Sequence, residues 1–204
     1  MKNVLFLLCI ILFPINSYAQ YDNISDVAYS DFNNLMETFL EFPTEQSRNE
    51  EIYNLLEELQ DIIKGIHVSQ EERYKLNSLQ ADINVVKKFM SPISNQYNTH
   101  LSSSNLERLQ TIFGDDFIKT KLKVKCPSDE VEFIEVKVGS LIICYFHCIS
   151  NKVENGLRIK FKAISGNTNI NGEYGAMKNE YTPIVHNAGK NYIRINSATI
   201  IERF

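Results

Sequence analysis

The chain has 204 residues, 44% of them hydrophobic, with 21 Lys+Arg against 25 Asp+Glu and a formal net charge of −4 at pH 7. That length suits one good domain or two small ones. An acidic balance and the lack of any nucleic-acid-binding motif argue against DNA or RNA as the partner.

Met1-Lys2-Asn3 is a short positive start, followed by the apolar run VLFLLCIILF, Pro14 and the ending Ser17-Tyr18-Ala19. Signal peptidase accommodates small side chains at the third and first positions before its cut. Residues 1–19 therefore read as a signal peptide cleaved after Ala19. The apolar run falls short of the roughly 20 residues that span a bilayer. Cys9 lies inside that run behind leucines, which is not the setting of a lipid-anchored cysteine. No later segment is apolar enough to cross, so the mature chain is expected to hold no integral membrane segment. Export to the periplasm or the cell exterior is the expected destination. The asparagine- and isoleucine-rich composition and the lysine-only start fit a bacterium. In a eukaryote, Asn23-Ile24-Ser25 would be a glycosylation sequon.

Residues 20–117 carry 7 Lys+Arg against 17 Asp+Glu and have helical periodicity. Ala28, Phe32, Leu35 and Phe39 form one apolar stripe, which must end before Pro43. Ile52, Leu55, Leu59, Ile62 and Ile66 form the next, widened by Leu56 and Ile63. Leu76, Leu79, Ile83, Val86 and Met90 form the third. Between the last two, Gly65 is expected to end a helix in the left-handed conformation, and Ser69 with Glu72 to open the next as a capping box. Leu106, Leu109, Ile112 and Phe113 mark a shorter helix, capped by Ser104 or Asn105 and followed by Gly114.

Residues 118–204 carry 13 Lys+Arg against 8 Asp+Glu and alternate with period two. Strands are expected at Lys121–Cys126, Val131–Val138, the stretch after the Gly139-Ser140 turn, and Leu157–Ala163. Residues 165–178, rich in glycine and asparagine, read as a long loop. Tyr181–His186, a turn at Asn187-Ala188-Gly189, and Tyr192–Ile201 read as a hairpin. The expected fold is α+β: an N-terminal antiparallel bundle of three to four helices, then a small antiparallel β-sandwich or curled sheet.

IICYFHCIS, residues 142–150, places two cysteines and a histidine within five residues. In a strand Cys144, Phe146 and Cys148 point one way, and Ile143, Tyr145 and His147 the other. His147 therefore cannot share a metal ion with both cysteines. The CxxxC spacing is also not that of a zinc knuckle or a thioredoxin-like redox pair. A near-continuous apolar run is what a central strand covered on both faces requires, and cysteine buried there holds little thiolate. Export permits one disulfide involving Cys126, with Cys144 or Cys148 opposite.

Lys121, Lys123 and Lys125 line one strand face, and Arg158, Lys160 and Lys162 line another. Side by side they would form a positive face for a protein or anionic surface. The alternative is a solvated sheet face whose lysines discourage aggregation. No GxSxG, HExxH, P-loop or Rossmann fingerprint is present, so no catalytic, cofactor or metal residues are assigned. Paired carboxylates such as Glu57-Glu58 and Glu71-Glu72 read as solvated helix faces. Glu173, Tyr174 and His186 are the one cluster that an enzyme acting from residues 165–178 would use. The expectation is an exported non-catalytic protein that binds a macromolecular partner, of an inhibitor, immunity or envelope-accessory kind. An enzyme, or a structural or adhesive sandwich subunit, is the alternative.

Overall fold

The computed structural model describes residues 23–92, 100–165, 167–184 and 193–204. The expected leader at residues 1–19, the turn at Asn187-Ala188-Gly189 and His186 lie outside the described residues. The chain runs through α1 (Ile24–Glu41), α2 (Gln46–Gly65), α3 (Gln70–Met90) and α4 (Ser103–Phe113). One 3-10 turn (Gly114–Asp116) leads into β1 (Phe117–Lys121). Then come β2 (Val131–Val138), β3 (Leu141–Cys148), β4 (Gly156–Ser165), β5 (Thr168–Met177), β6 (Tyr181–Ile184) and β7 (Ile193–Arg203). This is the α+β layout the patterning predicts, with helices first and two antiparallel sheets after. No helix among the described residues is long and apolar enough to cross a membrane.

The expected stripes become the faces of the bundle, with one shift. On α2 the fully buried positions are Ile52, Leu56, Leu59 and Ile63, while Leu55 and Ile62 flank them half-buried. Three rings from α1, α3 and α4 meet at its centre: Phe39, Phe89 and Phe113, with centroids 5.9 to 6.5 Å apart. At such spacing, aromatic pairs add attraction beyond the area they bury.

The helix ends differ from expectation in three places. Gly65 is the last residue of α2 rather than a left-handed cap, and Ile66 follows in extended conformation. The end is capped from outside: the Arg73 guanidinium donates to the carbonyls of Ile63 and Ile66. Ser69 does accept from the Glu72 N–H at 3.3 Å, but the Glu72 carboxylate reaches across to the Ser25 N–H at 2.8 Å. It thereby caps α1 instead of its own helix, and that bond, acting against burial, holds its pKa below the usual carboxylate range. For α4 the cap is Ser102, with Asn105 completing the box at the third position. Gly114 follows that helix as expected, at φ +52°.

The sheets are ordered β1-β2-β3-β6 and β5-β4-β7. One face of the first sheet packs on the helices through Ile134, Val136, Val138, Leu141, Ile143 and Tyr145. Its other face packs on the second sheet: Phe133, Cys144, Phe146 and Cys148 meet Leu157, Ile159, Phe161 and Ala198. The molecule is three layers with two cores, and the first sheet lies between them. Glu130 and Arg203 clasp the two sheets at one end. The Glu130 carboxylate accepts from the Arg203 guanidinium, from Ser150 Oγ at 2.8 Å and from Ser128 Oγ at 3.0 Å. Led by the Arg203 bond, these contacts pull its pKa down to about 2.

Two expectations about strands are corrected. Residues 168–177 are not loop but strand β5, paired along its length with β4 from Gly156↔Met177 to Ser165↔Thr168. Glycine and asparagine have low β propensity, and here packing overrides it. Ile170 and Ala176 turn inward, and Gly172 lies against the Phe161 ring, where an added Cβ would meet ring carbons at 2.7 Å. β6 and β7 do not form a hairpin: β6 pairs with β3 in the first sheet and β7 with β4 in the second.

Candidate binding face

The segment after β1 changes sheets, and that change creates the face. Leu122 N–H still bonds to Phe133 O at 2.8 Å, extending the β1–β2 ladder. Three residues later, Lys125 N–H bonds to Asn196 O and Lys125 O accepts from Ala198 N–H at 3.1 Å, so the chain now borders β7. The expected strand Lys121–Cys126 is therefore the end of one strand and a crossing to the next sheet. Its alternation survives throughout. Leu122, Val124 and Cys126 pack toward the inter-sheet core, while Lys121, Lys123 and Lys125 are exposed.

β4 alternates in the same way. Leu157, Ile159, Phe161 and Ala163 are buried, while Arg158, Lys160 and Lys162 are exposed. Ser197 of β7 is the register partner of Lys162 on one side and of Lys125 on the other. Neighbouring strands lie about 4.8 Å apart, so Lys125 and Lys162 flank Ser197 of β7 at a backbone separation of about 10 Å.

The six basic residues are not equivalent. Lys121 pairs with Glu132 at 3.0 Å, Arg158 with Glu202 at 3.0 Å and Lys160 with Glu173 at 3.7 Å. Lys123, Lys125 and Lys162 have no ion pair among the described residues. Arg194, exposed on β7 in register with Ile164, also has none. Lys125, Lys162 and Arg194 lie on the outer side of the second sheet, and Lys123 is on the exposed side of the crossing segment, two residues before Lys125.

The cysteines lie elsewhere. Cys126, Cys144 and Cys148 are all thiols in the structure, and the expected bridge from Cys126 is not formed. Cys144 and Cys148 face the inter-sheet core and His147 the opposite side, as strand alternation requires. Burial pushes the Cys144 thiol up to about 12, so it is protonated at neutral pH. Glu173 and Tyr174 do not converge. Glu173 points outward to Lys160, whereas the Tyr174 ring packs against Phe161 at 5.6 Å.

A polar row that strand periodicity alone does not assemble crosses the helix-facing side of the first sheet. Glu132, His147 and Tyr181 are consecutive register partners on β2, β3 and β6. The His147 and Tyr181 rings stack with centroids 4.1 Å apart, and Glu132 Oε1 lies 3.5 Å from His147 Nδ1. Burial lowers the His147 pKa, against the opposing pull of Glu132. Burial works to raise the Glu132 pKa, but the Lys121 contact and then His147 bring it below the usual range. Between α3 and α4 an open groove of about 570 Å³ holds the Arg108–Asp82 ion pair, which closes on itself.

Among the described residues no group of three or more His, Cys, Asp or Glu side chains is placed to hold a metal ion. No protein family, curated protein or solved structure matches the chain.

Proposed function

We propose that this is an exported, non-catalytic protein that binds an acidic macromolecular partner through the outer face of its second sheet. The observation that carries the reading is the set of four cations, Lys123, Lys125, Lys162 and Arg194, gathered on one exposed face without ion pairs among the described residues. Lysine stems cover apolar strand surface while their ammonium groups remain hydrated and available to an incoming carboxylate, sulfate or phosphate. Export rests on the leader-like residues 1–19. The non-catalytic reading rests on the sequence, which carries no GxSxG, HExxH, P-loop or Rossmann fingerprint.

The test is capture from native cell-envelope extract, with the chain beginning at Gln20 as bait. Wild-type protein is expected to retain a partner that elutes as salt shortens the Debye length below about 10 Å. The triple variant Lys123→Glu, Lys125→Glu, Lys162→Glu is expected to lose it while keeping the wild-type circular dichroism spectrum. Equal capture by both proteins, with no salt dependence, would assign these lysines to solubility.

A further inference from the structure

We propose that β6 is an acid-released latch: protonation of His147 parts Tyr181–Ile184 from β3 and opens that edge of the first sheet. β6 is four residues long and is paired within its sheet to β3 alone. Thr182 and Ile184 are buried, and its first residue adds three specific contacts. The Tyr181 ring stacks on His147 at 4.1 Å and an interplanar angle of 23°. Its backbone exchanges hydrogen bonds of 2.7 and 3.0 Å with Leu101, and Lys119 Nζ lies 5.4 Å from the ring centroid. The next residue, Thr182, bonds through its hydroxyl to His100 Nδ1 at 2.9 Å. A hydroxyl accepts as well as donates, so that contact tolerates either state of the His100 ring.

The His147 contact does not tolerate both states. The His147 side chain is 12% exposed, and among the described residues neither ring nitrogen has a well-formed hydrogen bond. The charged and titratable groups around it are Lys119 and Lys121 of β1, Glu132 of β2, Tyr145 of its own strand and Tyr181 of β6. Glu132 favours an imidazolium, but at 3.5 Å it lies beyond a good hydrogen bond, and its other oxygen already accepts from Lys121 at 3.0 Å. Lys119 opposes a second cation nearby. Burial therefore decides the balance, and the imidazole is held below its ordinary pKa. Protonating it requires rehydrating it. The ring is stacked against Tyr181, so rehydration separates the contact that anchors β6.

The sign follows from linkage. A histidine whose folded pKa lies below its unfolded value of about 6.5 contributes stability that is whole above that value. The contribution is lost as pH falls through the lowered folded pKa. Acid opens the latch and neutral pH closes it. The latch uses none of the four cations Lys123, Lys125, Lys162 and Arg194 of the proposed binding face.

Hydrogen exchange followed by mass spectrometry tests the latch on the full mature chain. After correction for intrinsic exchange, protection of peptides covering residues 181–184 and 144–148 is expected to fall by about threefold or more between about pH 7.5 and about pH 5, while the helices hold theirs. His147→Phe keeps an aromatic ring for Tyr181 and removes the titrating group, so its protection is expected to be the same at both values. His147→Gln serves the same purpose if the phenylalanine variant does not fold. Wild-type protection that is unchanged by acid overturns the proposal, as does an acid response that persists in either variant. Direct titration of the His147 ring by NMR is an independent check: a midpoint below that of free histidine is expected, and one at or above it overturns the proposal.

Discussion

β3 lies between two layers, and β4 borders one. β3 reads Leu-Ile-Ile-Cys-Tyr-Phe-His-Cys, with Ile143 and Tyr145 in the helix-side core and Cys144 and Phe146 in the inter-sheet core. β4 alternates Leu157, Ile159 and Phe161 with Arg158, Lys160 and Lys162, burying the first set and exposing the second. A strand that is apolar at nearly every position marks a middle layer, whereas strict alternation marks an outer one. The inner strands of the first sheet are covered on both faces, whereas β4 presents its charged side chains to solvent.

The sharpest way to test this division is to damage each core separately. Phe89, fully buried among Phe39 and Phe113, belongs to the helix-side core. Phe146, also fully buried, belongs to the inter-sheet core. Truncating either to alanine is expected to cost about 3–5 kcal/mol in urea-denaturation stability. The first sheet is common to both cores, so both losses should appear in one cooperative transition. Two separated transitions in Phe89→Ala would show that the sandwich stands without the helices.

A smaller effect concerns the clasp between sheets. The Glu130 carboxylate is held near a pKa of about 2, mainly by Arg203 and then by Ser150. A depressed carboxylate contributes stability above its unfolded pKa, and that contribution is lost as pH falls from about 4.5 toward 2. Glu130→Gln is expected to be less stable than wild type at pH 7 and to lose less as acid is added. The two denaturation midpoints should converge near pH 2. A constant gap between them at all pH values would place the Glu130 contribution in packing rather than in charge.

Much of this was legible because period and burial are tied together. The four helical stripes, β2 with its Gly139-Ser140 turn and the two-faced burial of β3 all follow from spacing. The misses have two physical origins. β5 was hidden by Gly172 and Asn171, whose low strand propensity is outweighed by the ladder to β4 and by the fit of Gly172 beneath Phe161. A signal was present in the sequence, since Gly-Asn at 166–167 is a pair that favours two-residue hairpin connections and Ile170, Gly172, Tyr174 and Ala176 alternate. The separation of β6 from β7 is a tertiary choice that no local pattern records. The Glu132–His147 partnership lies in between. A two-residue turn at Gly139-Ser140 fixes the register, and counting back from Val138↔Leu141 reaches Glu132↔His147. The pair was readable, but only after the turn had been treated as a ruler.

The same counting separates two neighbouring lysines on the exposed face, and here the expected effects are smallest. Lys160 is in register with Glu173 and forms an ion pair with it at 3.7 Å. Lys162, two residues on, is flanked by Asn171 on β5 and Ser197 on β7, both neutral. Lys160→Glu sets two carboxylates opposite each other, which costs about 0.2–1 kcal/mol in a cross-strand pair. Lys162→Glu meets no anion in register and lies across β7 from Lys125, so its stability should remain within about 0.5 kcal/mol of wild type. Partner capture should follow the opposite order. Lys160 is already neutralised, so reversing it should weaken capture less than reversing Lys162, whose charge has no ion pair among the described residues. Measuring stability and capture on both single variants therefore crosses two rankings. If Lys160→Glu proves worse in both measurements, the ion-paired cations rather than the unpaired ones form the recognition surface, and the centre of the face moves from β7 toward β5.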